Sequence, residues 1–197
     1  GKLNTKRHPL YCCYAESDDG IRWRKRELGL YEFNGSKKNN IIMIPGPVGS
    51  VKVDPGHPAV FKDENPAAKP DAQYKAIFRS SGLLPYKSPD GFRWSPMTEQ
   101  PILQGLGAFD SQNLAFWDTN RNKYVCYSRL FIDGVRSIQF CESPDFITWS
   151  SPVKLQYVDS PTEHLYTNAI APYFRNPQYY IGFPTRYLPA NSRVEPV

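Results

Sequence analysis

One phrase constrains this chain more than any other. "ESDDGIRW" (16–23), "SPDGFRW" (88–94) and "SPDFITW" (143–149) all contain Ser-x-Asp-x-x-x-Trp. An isolated turn needs no Trp four residues after its Asp; a repeated structural unit can use one. A second pattern travels with the first. "AVFKD" (59–63) precedes "YKAIFRS" (74–80), "LAFWD" (114–118) precedes "KYVCYSR" (123–129), and "APYFR" (171–175) precedes "QYYIGFPTR" (178–186). Each unit reads as strand, turn, strand, third strand, Ser-x-Asp turn, fourth strand. Four short antiparallel strands at a period of roughly 50–70 residues describe a β-propeller blade. The expected fold is therefore all-β.

Within the repeated turn, the Ser and Asp side chains can bond backbone N–H groups. Gly20 and Gly91 allow positive φ at the tight point. Phe146 holds that place in the third copy, so its turn either differs or carries strain. The Trp is expected to fold back and fill space between blades, contributing about 2–3 kcal/mol as a buried aromatic. The motif reads as structural, and the active site is sought elsewhere.

The composition agrees. Pro (19) and Gly (13) are spread along 197 residues, Tyr (13) and Phe (11) are abundant, and helix-forming runs are missing. Two complete blades are expected, at 51–97 and 109–153. They are flanked by the end of one blade (1–28) and the start of another (166–187), with 28–50 and 188–197 as connecting or terminal segments. A closed propeller needs at least four blades, so the expectation is one domain that is part of a longer protein.

The net charge of +5 has its densest stretch at Arg22, Arg24, Lys25 and Arg26. It reads as a solvated strand edge that discourages edge pairing, and no nucleic-acid signature accompanies it. The longest apolar run, "IIMI" (41–44), is too short to span a membrane. No signal peptide is visible; the balance of location tips slightly to secreted or periplasmic. Of the four cysteines, none has zinc-ligand spacing. A two-residue hairpin turn at Asp133-Gly134 would place Cys126 opposite Cys141, as free thiols or as a disulfide.

Chemistry in such a fold belongs where the innermost strands begin, at a central channel. Asp110, in "GAFDSQNLAFWD", is either a cap at the start of a strand or a channel carboxylate. Asn113 adds hydrogen-bonding capacity beside it. Asp54 and His57 occupy the matching stretch "VKVDPGHPAVFKD"; the structural alternatives are an Asp-Pro-Gly turn and a hydrogen-bonded His. Glu163, in "SPTEHLYTNAIAPYF", is a candidate catalytic acid or a loop carboxylate, with His164, Tyr166 and Asn168 crowding the same place. Arg129 and Arg186 end the second strands of consecutive units. They either reach sugar hydroxyls or a carboxylate, or pair with Asp110 and Glu163. Carboxylates from different blades converging on one channel are what glycoside hydrolysis requires.

The runs "YAESDDGIRW", "SKKNNI", "FDSQNLAFWD" and "EHLYTNAIAPYF…YIGFPTRY" resemble bacterial proteins related to the five-bladed β-propeller glycoside hydrolases. That superfamily includes invertases, levansucrases, arabinanases and xylosidases (families 32 and 43 and their relatives). The resemblance covers nearly the whole chain. It implies a five-bladed fold, a carbohydrate substrate, no organic cofactor and two Asp with one Glu at the channel mouth. Asp110 then matches a channel Asp, Glu163 the general acid and Asp54 the other Asp. Asn113, Arg129, His164, Asn168, Arg186 and His57 are the expected substrate-binding residues. A channel Ca²⁺ is compatible with the resemblance but not legible in it. The chain lacks the Asn-Asp-Pro-Asn-Gly, Arg-Asp-Pro and Glu-Cys signatures of invertases. A non-catalytic propeller that binds glycans or proteins is therefore the alternative. A sialidase-like propeller is a third reading, disfavoured because Asp and Gly are adjacent in Asp19-Gly20 and Asp90-Gly91.

Overall fold

The computed structural model describes residues 9–196. Residues 1–8, part of the expected blade end at 1–28, and Val197 lie outside the described residues. Among the described residues every strand pairing is antiparallel and there is no α-helix; two single 3₁₀ turns interrupt the strands.

The first pair joins β1 (Cys12–Cys13) to β2 (Ile41–Met43). A five-stranded meander follows: β3 (Gly46–Val48), β4 (Val51–Lys62), β5 (Tyr74–Arg79), β6 (Leu83–Ser88) and β7 (Ser95–Pro96). Residues 28–50 are thus more than a connection, because they supply β2 and β3. The second meander has four strands: β8 (Leu114–Asp118), β9 (Lys123–Ile132), β10 (Val135–Ser143) and β11 (Val153–Lys154). Beyond it lie β12 (His164–Leu165), β13 (Ile170–Pro172), β14 (Tyr180–Gly182), β15 (Thr185–Leu188) and β16 (Arg193–Pro196). These form a β13–β14 hairpin and a β12–β15–β16 sheet. Residues 188–197 are therefore no loose tail, since β16 extends that sheet.

The β9–β10 hairpin turns at Asp133-Gly134, both at positive φ (51° and 79°), as a two-residue turn between twisted strands requires. That fixes the register: Ile132 opposes Val135, and Cys126 opposes Cys141. Both thiols are free and buried. Their mutual hydrogen bond, together with burial, pushes the Cys126 thiol well up.

Strand alternation gives the second meander two apolar faces. Ala115, Trp117, Tyr124, Cys126 and Cys141 pack with Ala59, Ile77 and Leu83 of the preceding sheet. Val125, Tyr127 and Ile138 pack on the other side with Leu165, Ile170 and Tyr180. A sheet covered on both faces can bury nearly continuous apolar strands, and each such side chain contributes about 1.5–3 kcal/mol.

The three Ser-x-Asp turns share one hydrogen-bond pattern. In the middle copy Ser88 Oγ accepts the Gly91 N–H (2.8 Å) while Asp90 Oδ1 accepts those of Phe92 and Arg93. The Trp94 indole donates to the Gly91 carbonyl. Asp19 and Trp23 repeat this, as do Asp145 and Trp149. Phe146 adopts the glycine conformation, at φ +69° against +79° at Gly91. It therefore carries the strain rather than changing the turn, and it is fully buried. The Trp side chains do not fill space as deeply as expected. Trp94 and Trp149 are half-buried on Phe78 and Phe146, and Trp23 is 63% exposed. Their constant role is to close their own turn.

Two more carboxylates tie sheet to sheet. Asp63, after β4, accepts a hydrogen bond from Tyr124 of the next sheet (2.8 Å) and pairs with buried Lys75. Asp118, the last residue of β8, does the same with Tyr180 and Arg121. The offsets, 61 and 62 residues, follow the repeat.

Candidate functional site

The approach to β8 is shaped by close backbone packing. A Cβ on Gly107 would lie 2.7 Å from Gln139 Nε2 and 2.8 Å from the Phe109 ring, so a side chain there forces a shift. The Ala108 N–H donates to the Arg129 carbonyl, and Ser111 Oγ donates to the Tyr166 carbonyl at 2.8 Å. This places Asp110 over the end of β9, where it pairs with Arg129. The pair is asymmetric. The Arg129 side chain is 6% exposed, whereas that of Asp110 is 57% exposed.

Register and alternation build the rest. Arg129 and Phe131 are two apart on β9, and Arg136 opposes Phe131 across the hairpin, so all three share a face. The Arg129 guanidinium lies over the Phe131 and Tyr166 rings, at 5.4 and 5.5 Å from their centroids. The Arg136 guanidinium lies over the same two rings and over Tyr187 at 4.4 Å. His164 stands edge-on to Tyr187, directly opposite it in register. Its Nδ1 accepts the Arg136 backbone N–H (3.2 Å), which leaves the ring proton on Nε2. Asp110, Arg129, Phe131, Arg136, His164, Tyr166 and Tyr187 thus form one seam between the second meander and the β12–β15–β16 sheet.

The other expected residues fall elsewhere. Glu163 pairs with Arg186 at 2.6 Å, and Arg186 also pairs with Glu195. Glu163 precedes β12; its partner Arg186 neighbours Tyr187 on β15, so alternation along β15 puts Arg186, and Glu163 with it, on the side of β12 away from Tyr187 and His164. Among the described residues no hydrogen bond or ion pair joins the Asp110 and Glu163 carboxylates.

Asp54 sits inside β4, at an irregularity between Asp54 and Ala59. Pro55 and Pro58 lack the N–H a regular ladder needs. The bulge turns Asp54 toward the Gly56 N–H (2.8 Å), His57 Nδ1 (3.3 Å) and Arg79 (3.0 Å). Burial raises the Asp54 carboxyl, but these three partners outweigh it and hold the group below its usual range. Asp54 and Arg79 line a cleft of about 350 Å³.

Asn113 and Asn168, expected substrate contacts, are each only 2% exposed. Asn113 Nδ2 donates to the carbonyls of Phe109 and Ser111, and Asn168 Nδ2 to those of Gln112 and Tyr127. They hold the approach to β8 against the approach to β13. Among the described residues no group of three or more His, Cys, Asp and Glu could hold a metal ion, and no helix is long and apolar enough to cross a membrane.

Phe131, Arg136 and Tyr187 escaped the sequence reading. The signal was present: the Asp133-Gly134 turn that pairs Cys126 with Cys141 also sets Arg136 opposite Phe131.

No family model matches the chain, and no curated protein matches it. A solved structure does share its fold. It is an N-acetylgalactosamine deacetylase from F. plautii in complex with blood group B trisaccharide, 14% identical, with a TM-score of 0.51. The likeness covers 93% of this chain, which spans 59% of the length of that one.

Proposed function

We propose that this chain is a glycan-directed domain of a β-propeller protein of the five-bladed type, and that the seam holds the sugar. The observation that carries the reading is the seam itself. Three aromatic rings line two guanidinium groups, and a half-exposed carboxylate stands at the rim. Aromatic faces suit the C–H faces of a sugar ring, and Arg with Asp suits its hydroxyls. Support for the propeller comes from the repeated Ser-x-Asp turns, the repeated Asp-to-Tyr ties and the meander packed on both faces. The shared fold with a protein that acts on N-acetylgalactosamine supports a carbohydrate ligand.

The finer proposal is glycosidic bond cleavage by paired carboxylates, which must stand roughly 5–10 Å apart across the bond. Asp110 is the seam's own carboxylate and takes the role of base or nucleophile. Glu163, paired with Arg186 on the other side of β12, and Asp54, held by His57 and Arg79 in the preceding meander, stand outside the seam and are assigned no step in it. A second reading, removal of an acyl group from an amino sugar, is favoured by the deacetylase activity of the structural neighbour.

The test is a panel of oligosaccharides assayed for binding, reducing-sugar release and acetate release, with Asp110→Asn and Tyr187→Leu as variants. Binding that both variants weaken, with melting unchanged, is the expected result. Reducing ends or acetate then decide between the two chemistries. Binding by no glycan would overturn the proposal.

A further inference from the structure

The seam carries more positive charge than its own residues use. Arg129 has one carboxylate partner, Asp110, whose side chain is mostly in solvent. Arg136 makes no ion pair among the described residues. Its polar contacts are through its backbone N–H and one terminal nitrogen, both to His164 Nδ1. The Nε atoms of both arginines are buried without a hydrogen-bond partner. An unpaired buried donor on a charged group is costly to leave unmade. Aromatic faces offset part of that cost, because the ring quadrupole attracts a cation. They occupy the flat faces of the guanidinium and leave its N–H edge to find an acceptor. Two guanidinium groups over the same two rings, with one carboxylate paired to Arg129, leave one positive charge in excess.

We infer that the seam recognises an oxyanion carried on a sugar, a carboxylate or a sulfate ester, with Arg136 as its principal contact and Arg129 beside it. The inference rests on the glycan reading above and names the substrate class within it: acidic glycans rather than neutral ones. A guanidinium edge offers parallel N–H donors that match two oxygens of one anion. The rings of Phe131, Tyr166 and Tyr187 hold that edge in place and supply a surface for the sugar ring. Asp110 at the rim repels a second acidic group, so the seam favours a single oxyanion in one orientation.

The experiment compares three probes on the described chain: a short oligogalacturonate, the same oligosaccharide with its carboxyl groups reduced to alcohols, and a sulfated galactan oligosaccharide. Titration calorimetry is run on the wild type, Arg136→Gln, Arg136→Lys and the control Lys69→Gln, with melting curves for each. An acidic probe is expected to bind at least about tenfold more tightly than the reduced probe. Arg136→Gln abolishes that preference, Arg136→Lys retains part of it, because the charge stays while the planar fork is lost, and Lys69→Gln leaves it intact. Binding of oligogalacturonate alone assigns the oxyanion as a carboxylate, and binding of the sulfated probe alone assigns it as a sulfate. If Arg136→Gln does not fold, the partial loss in Arg136→Lys decides. Equal binding of acidic and reduced probes, or a preference untouched by either Arg136 variant, overturns the inference and leaves the seam as a neutral-glycan site. No binding of any glycan overturns this inference and the proposed function together.

Discussion

Asp63 follows β4 and Asp110 precedes β8, and the two aspartates differ in burial and in the number of partners they hold. Asp63 is almost fully buried and spends its oxygens on the Asn65 N–H, the Tyr124 hydroxyl and the Lys75 ammonium. Asp118 repeats that saturation with the Asn120 and Arg121 N–H groups, Tyr180 and Arg121 Nε. The costs run both ways: burial and the Asp63 bond push the Tyr124 hydroxyl well up. Among the described residues Asp110 has a single side-chain partner, and its side chain is mostly exposed. A carboxylate whose acceptors are all filled is a tie between sheets. One with acceptors to spare can take a ligand.

The comparison breaks most sharply at Asp63. Asp63→Ala strands a buried Lys75 charge and an unpaired Tyr124 hydroxyl, so a loss of about 3–5 kcal/mol is expected in urea unfolding. A loss below about 1 kcal/mol would make the tie ornamental. Asp145→Ala comes next. Asp145 holds the N–H groups of Ile147 and Thr148 beside Phe146, the one copy of the turn strained by a non-glycine at positive φ. A loss of about 1–2 kcal/mol is expected, in the range of other side-chain caps.

Acid should sharpen the same contrast. Partial burial raises the Asp90 carboxyl, but the N–H groups of Arg93 and Phe92, the Arg93 guanidinium and the Ser88 hydroxyl outweigh it and lower the group to about 2. A carboxyl lowered on folding stabilises fully above its unfolded value near ~3.9 and loses that contribution as pH falls toward its folded value. The melting temperature should therefore fall from about pH 4 to pH 2. Asp90→Asn should flatten that slope, while an unchanged slope would place the acid sensitivity elsewhere. Asp110→Asn has the smallest structural effect. A stability change within about 1 kcal/mol is expected, because the replaced side chain is mostly in solvent and its amide oxygen can still accept from Arg129, together with weakened glycan binding. A large stability loss with binding intact would move Asp110 to the side of Asp63.

Much of the fold was legible along the chain. The three Ser-x-Asp-x-x-x-Trp phrases locate three turns with the same bonds, because those bonds run between residues at most three apart. Asp133-Gly134 fixes the β9–β10 register, since a two-residue turn admits only one. The strand content of 28–50 and 188–197 was not legible, because β2, β3 and β16 are short and owe their strand state to partners that cover them. The depth of the repeated Trp was likewise a matter of neighbours: one phrase gives an exposed Trp23 and a half-buried Trp149.

The site divides along the same line. Residue type and position along the repeat singled out Asp110, Arg129, His164, Glu163 and Asp54 as chemistry-bearing groups. By itself the sequence determined the all-β repeat, the turns, the hairpin register and the presence of carboxylates and arginines near the strand ends, all short-range consequences of residue identity. Only the tertiary structure decided which of them meet. It set Asp110 on Arg129, moved Glu163 to the far side of β12 and buried Asn113 and Asn168 in the backbone. It also brought Tyr166 and Tyr187 over Arg136. Those outcomes depend on how one sheet packs against the next, and no local spacing encodes the sum of side-chain volumes that sets that packing.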